Sequence, residues 1–378
     1  MIQPTYIKKF NGFVLIGLIG IASVVALNQT MNSEISSRKL MDHCPKGKRV
    51  CIFIHGARED KDESTQTSHS SYWGSKVIED EHTPCCSSRF FLRIKSTRSW
   101  TDEENQQKVC NESLKLCGTP GSKTINDCVF ITHSMGALVL SGALSNGFCS
   151  FGNNVGFASS QAPMEGAKIA EFFAGGCHRS LKIGERLKKI RKKAKKVVNK
   201  GGKTLKKGIE RGKKIGGKIL KRGKEIAGKV KDKIRQWTIC KLLKPYIYSL
   251  SPSRLKDNND GWATKYKKAQ EVYQTHVTAS LCGTSTVGIF KKESVVAIAL
   301  KWLSFFANFL DGSVVTDGLV ELSSCKGLID DKNWGTSPDH LFYIAKINHF
   351  DGNFDRSDDK EDKEKQPLEW INNAIKWG

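Results

Sequence analysis

Short apolar runs alternate along the chain with segments whose apolar residues recur at helical spacing. Runs near 50–54, 90–94, 127–131, 155–159 and 341–347 read as strands, and the segments near 102–116, 135–145 and 292–309 read as helices. Continuous apolar runs of this length suit strands buried on both faces. Their alternation with helices predicts an α/β fold with a mostly parallel sheet flanked by helices. The stretch 294–310 is strongly apolar but interrupted by Lys301, so it is expected as a buried core helix and not as a membrane span. A mixed charge run at 356–365 is expected as a solvated linker before a short helix at 368–377.

One long segment breaks the alternation. Residues 182–235 hold 24 Lys and Arg against four acids, a net +20 of the chain's +23, so the rest of the protein is almost neutral. An 11-residue repeat opens at Gly201, Gly212 and Gly223, with lysine at the seventh place of each unit. Eleven residues make three helical turns with little drift, so Ile209, Ile215, Ile219 and Ile226 fall on one arc while Lys206, Lys207, Lys213 and Lys214 lie across from it. Eight glycines between Gly201 and Gly228 remove several kcal/mol of helix propensity at about 1 kcal/mol each. A surface has to supply the difference, and an anionic bilayer does so, each basic residue near it contributing about 1 kcal/mol. Those eight residues are therefore the expected membrane-binding set. Close helix pairing through Gly208, Gly212 and Gly216, or a lid, is the competing reading of the segment. Specific nucleic-acid binding is not expected, because the module lacks aromatic stacking platforms.

At the N-terminus, Lys8 and Lys9 precede an apolar run over 13–27 that is short for a membrane span and ends in Val24, Val25 and Ala26. It reads as a signal peptide, with an uncleaved anchor as the alternative, and either places the body in the secretory lumen or outside the cell. Twelve cysteines follow it, an even number that implies several disulfides without assigning the pairs. Cys51 and Cys128, on expected core strands, could instead be buried free thiols. Asn28 and Asn111 head glycosylation sequons. No cysteine or histidine spacing suggests a metal, and neither a metal nor another cofactor is expected. The organisation expected is a leader over 1–27, a core over 44–180, the basic insertion over 181–237, the rest of the core over 238–355 and a C-terminal tail over 356–378.

The candidate chemistry centres on Thr132, His133, Ser134, Met135 and Gly136, which join an apolar run to a helical pattern. A sharp strand-to-helix turn needs small residues there and lifts a serine hydroxyl clear of the sheet, over a helix N-terminus. Upstream, the strand 49–54 ends in His55, Gly56 and Ala57. In these segments the chain resembles the lipase and esterase branch of the α/β-hydrolases, and it is also similar to GPI inositol-deacylase-like hydrolases. Thr132 stands where the family's elbow usually has glycine. The resemblance covers about 48–175 and 275–355, and residues 158–166 resemble the Ser-x-Pro-x-Gly turn of many lipases.

The resemblance implies an α/β-hydrolase-like sheet with Ser134 as nucleophile and the backbone N–H groups of Ala57 and Met135 as oxyanion donors. It implies Asp317, in the turn 316–320, as the acid, and His349, in the segment 347–351, as the base. Asp311 and His340 are the competing choices. The function expected is a secretory-pathway serine ester hydrolase of lipase-like type, acting on a lipid or lipid-like ester at an anionic membrane surface. The alternatives are a catalytically silent hydrolase fold that binds or perturbs membranes through its basic helix, and a deacylase of lipid-anchored glycans.

Overall fold

A computed structural model describes residues 44–57, 62–174, 245–257, 261–289 and 315–378. The basic insertion, the N-terminal apolar run, the expected helix at 292–309, Asp311 and Asn28 lie outside the described residues. Among the described residues no helix is long and apolar enough to cross a membrane.

Seven strands form one sheet: β1 (Arg49–Ile54), β2 (Cys86–Leu92), β3 (Cys128–His133), β4 (Gly156–Ser160), β5 (Ala279–Gly283), β6 (Trp334–Gly335) and β7 (Phe342–Ala345). Their order is β2-β1-β3-β4-β5-β7-β6, and every neighbouring pair is parallel. Among the described residues, four helices of 11 or more residues cover it: α1 (Glu103–Cys117), α2 (Met135–Ser145), α3 (Trp262–His276) and α5 (Pro367–Trp377), with a short α4 (Leu322–Lys326) between the last two. The expected α/β class, a mostly parallel sheet flanked by helices, is the observed one.

The pleat sorts the core into two layers. Ile52, Ile54, Phe130 and Phe157 point toward α1, α2 and α3, while Cys51, Phe53, Val129, Ile131 and Ala158 point toward α5. Every residue of α2 from Met135 to Ala143 is buried, as expected of a helix that is apolar all round. Helix α5 places Leu368, Ile371, Ala374 and Ile375 on its buried side. Distant side chains cap both of its ends. Asp358 accepts from the N–H groups of Leu368 and Glu369 at 2.8 Å, and Arg49 donates to the carbonyls of Ile375 at 2.6 Å and Gly378 at 3.2 Å. Burial raises the Asp358 carboxyl to about 6 against those two hydrogen bonds. The charged segment before α5 is therefore folded against the sheet and does not run free: Lys346 N–H donates to Glu364 C=O at 2.6 Å, and the Tyr343 hydroxyl to Lys363 C=O at 2.6 Å.

Two elements depart from the apolar pattern. Strand β2 lies over Cys86–Leu92, earlier than the run at 90–94, because the Ile94 N–H leaves the sheet and donates to the His55 ring at 3.1 Å. Strand β5, Ala-Ser-Leu-Cys-Gly, has no β-branched residue, and the pattern missed it; burial between β4 and β7 makes it a strand.

Among the described residues five disulfides join Cys44–Cys85, Cys51–Cys86, Cys110–Cys149, Cys117–Cys128 and Cys282–Cys325. Cys51 and Cys128 are thus cross-linked and not free thiols, because their strand positions face Cys86 on β2 and Cys117 at the end of α1. Cross-linking of this density persists in oxidising surroundings, the extracellular space or the secretory lumen. Since Cys85 and Cys86 pair with different partners, a non-reduced tryptic digest should release peptides 40–46, 50–58 and 77–89 as one three-peptide species. Recovery of 50–58 as a free peptide with an alkylated Cys51 would contradict the pairing.

Candidate active site

The chain reverses at Ser134, between β3 and α2, with φ 54° and ψ −130°. A serine in that region is strained, at a cost on the order of 1–3 kcal/mol, so its surroundings have to hold it there. Its N–H donates to Ser160 C=O at the end of β4 at 2.8 Å. Two glycines allow the close approach. A Cβ on Gly136 would lie 2.6 Å from the Ile54 carbonyl oxygen, and one on Gly56 would lie 2.7 Å from the Ser134 Cβ. Thr132, two residues before Ser134, is fully buried, and its hydroxyl reaches Ala158 C=O at 3.4 Å on the neighbouring strand.

Ser134, Asp317 and His349 come together from three separate segments. The Ser134 Oγ lies 3.0 Å from His349 Nε2, and His349 Nδ1 lies 2.8 Å from Asp317 Oδ2. The other carboxylate oxygen of Asp317 accepts from the N–H groups of Leu319 at 2.9 Å and Val320 at 2.8 Å, so its turn holds the side chain from behind. With Asp317 accepting, His349 carries its proton on Nδ1, and Nε2 is left to accept from the serine hydroxyl. All three residues are 8% exposed or less. The backbone repeats the link, His349 N–H donating to Asp317 C=O at 3.0 Å. Disulfide Cys282–Cys325 anchors α4, just after the Asp317 turn, to β5.

Ala57 directly follows Gly56, which is in contact with Ser134, and Met135 directly follows Ser134. Met135 is the first residue of α2, where a backbone N–H has no partner within the helix. His55 shapes the other side. Its Nε2 accepts from Ile94 N–H, so Nδ1–H donates to Gly56 C=O at 2.8 Å. The Ala57 N–H belongs to that same peptide and points the opposite way, so the ring sets its direction. Burial lowers the His55 pKa to about 3, which keeps the ring neutral.

His340 is exposed beside Gly335, at the β6 edge of the sheet, and makes no hydrogen bond to Ser134 or Asp317 among the described residues. Asp311, Asn28 and the eight membrane-binding candidates of the insertion lie outside the described residues. Asn111 is exposed on α1, although Ser113 of its sequon is fully buried.

Sequence reasoning passed over His133, Gln161, Asn348 and Tyr72, which surround these groups. The first three stood inside segments already singled out, but a strand's alternation cannot say which polar side chain turns inward at its end. Tyr72 carried no signal at all. Asn348 Oδ1 accepts from Phe350 N–H at 2.8 Å, and Asp351 Oδ2 accepts from the N–H groups of Asn348 at 3.0 Å and Ile289 at 2.9 Å, which closes the loop that bears His349. Burial raises the Asp351 carboxyl to about 6.

A parallel, helix-flanked sheet with a serine on a strained turn at its carboxyl edge is an α/β-hydrolase-like fold. No protein-family model and no curated sequence matches the chain. Among solved structures it is similar to the Bacillus licheniformis lipase BlEst2 in mature form, at 12% identity and a TM-score of 0.40 over 83% of this chain and 90% of that one. It is also similar to the same lipase in propeptide form, at 13% identity and a TM-score of 0.38, where the match covers 81% of this chain and 47% of the other. Likeness at this level says nothing of substrate.

Proposed function

We propose that this protein is an exported serine ester hydrolase of lipase-like type that cleaves a lipid or lipid-like ester at an anionic membrane surface. The observation that carries the reading is the hydrogen-bonded series from Ser134 Oγ through the His349 ring to Asp317, set on a strained turn at the carboxyl edge of a parallel sheet. His349 Nε2 takes the proton as Ser134 Oγ attacks the ester carbonyl, and returns it to the leaving alcohol. Water, deprotonated by the same nitrogen, then releases the acid and restores the serine. Asp317 keeps the tautomer and stabilises the imidazolium. The Ala57 and Met135 N–H groups receive the oxyanion, each such donor contributing on the order of 3 kcal/mol. None of these steps calls for a cofactor.

Ser134→Ala and His349→Ala should each lower kcat on a short soluble ester by several orders of magnitude, since such groups act as a unit. Asp317→Asn should be almost as severe, about 10⁴-fold, through the wrong tautomer, and Asp311→Asn mild. Steady-state hydrolysis with melting temperatures checks this. Undiminished turnover in Ser134→Ala would move the nucleophile elsewhere.

The membrane part of the proposal rests on the +20 insertion and its glycine-rich apolar arc. Deleting 181–237 should depress hydrolysis of esters presented on anionic vesicles far more than hydrolysis of a soluble ester. Salt should weaken the vesicle activity of the intact chain, because exposed charges are screened beyond about 10 Å at 0.1 M. Equal loss on both substrates would make the insertion part of the hydrolase body.

A further inference from the structure

The loop bearing His349 is held at three backbone carbonyls by three buried side chains that end β3 and β4. Gln161 Nε2 donates to Asn348 C=O at 2.8 Å, His133 Nε2 to His349 C=O at 2.9 Å, and Ser160 Oγ to Gly352 C=O at 2.9 Å. His133, Ser160 and Gln161 are each 3% exposed or less. Gln161 takes a positive φ of 53°, its N–H donates to Leu281 C=O at 2.7 Å, and its Oε1 lies 3.3 Å from His133 Nε2.

The hydrogen positions follow from the partners. A carbonyl only accepts, so His133 carries its proton on Nε2 and its Nδ1 accepts. The partner of Nδ1 is the Tyr72 hydroxyl at 2.6 Å, which donates there while accepting from Gly56 N–H at 2.7 Å. Burial holds the His133 pKa near 3, so the ring stays a single-donor relay through the neutral range. Tyr72 is fastened to the same loop, its C=O accepting from Asn353 Nδ2 at 2.7 Å.

We propose that His133 and Gln161 are positioning residues that set the Ser134–His349 contact by clamping two consecutive peptide carbonyls of the base loop, and that Tyr72 fixes the tautomer of His133 and couples this clamp to the Gly56–Ala57 turn. The proposal rests on the reading of Ser134 and His349 as nucleophile and base. His133 directly precedes Ser134, and the Ser134 N–H is bonded to Ser160 C=O, beside Gln161. Serine and histidine are therefore metered from the same two strand ends. A misplacement of about 1 Å costs roughly 100-fold in rate, so a clamp of this kind acts on kcat and not on ester binding.

The full-length protein with a short soluble ester tests this, through kcat, KM and melting temperature of four variants. A glutamine amide reaches the place of the imidazole Nε2–H, whereas an asparagine amide reaches only that of Nδ1. His133→Asn should lose roughly 100-fold in kcat with KM little changed, and His133→Gln should recover most of that loss. Tyr72→Phe keeps the ring and should lower kcat while the ¹⁵N spectrum of His133 moves from the Nε2–H tautomer to a mixture. Equal activity in His133→Asn and His133→Gln, or wild-type kcat in Tyr72→Phe, overturns the clamp. Should the His133 variants fail to fold, Tyr72→Phe and the wild-type tautomer decide alone: an Nδ1–H His133 overturns it. The fourth variant, Ser134→Ala, separates the two claims. If it remains fully active the nucleophile reading fails and the clamp with it, and if it is inactive the results at His133 and Tyr72 judge the clamp by itself.

Discussion

The bend at Ser134 is the constraint on which the site depends. A serine with φ 54° is out of its comfortable range, and it persists because β1, β4 and α2 leave the backbone no other course. Gly136 lets the first turn of α2 sit against the end of β1, Gly56 lets the β1 turn touch the serine, and the Ser134 N–H is claimed by β4. The energy that holds the bend comes from the rest of the fold. Helix α2 is buried on every side, and the sheet beneath it is packed on both faces. The strain is local, while its support is spread over two core layers.

Polar groups at the carboxyl edge of the sheet turn that bend into a defined geometry. Three of the imidazoles there have their tautomer set by their partners: His55 by Ile94 N–H, His133 by His349 C=O and the Tyr72 hydroxyl, His349 by Asp317. Burial keeps the first two neutral, with pKa values near 3, so they act as fixed donors and acceptors and add no charge beside Ser134 and His349. In a site this dry an unsatisfied polar atom costs about 1–3 kcal/mol, so each of these contacts also resists loosening of its neighbours. The same logic governs α5, whose two ends are held by Asp358 and Arg49.

Much of this was legible in the residues, and the exceptions have physical causes. The Ser134 elbow and the His55–Gly56–Ala57 turn were readable because a sharp turn and a close backbone approach demand particular residue types, whereas Asp317 and His349 were reached through the resemblance of their turns to lipase segments. The continuous apolar runs of β1 and β3 announced strands buried on both faces. Strand β5 stayed hidden because Ala279, Ser280 and Gly283 have no intrinsic strand preference, and its neighbours make it a strand. Helix α3 was passed over although Tyr266, Ala269 and Tyr273 mark its buried side, because lysines and glutamines dominate the pattern between them. Disulfide partners, 11 to 43 residues apart, and the Tyr72–His133 and His133–Gln161 contacts, 61 and 28 residues apart, depend on tertiary approach, which no local pattern encodes.

The proposed hydrolysis requires that Ser134 be the nucleophile and that His349 activate it. A fluorophosphonate captures such a serine covalently, and its site is read by peptide mass spectrometry. One adduct per molecule is expected, on Ser134, formed rapidly in the native protein and almost not at all in His349→Ala. An adduct on another residue, or labelling of Ser134 at an undiminished rate without His349, would contradict it.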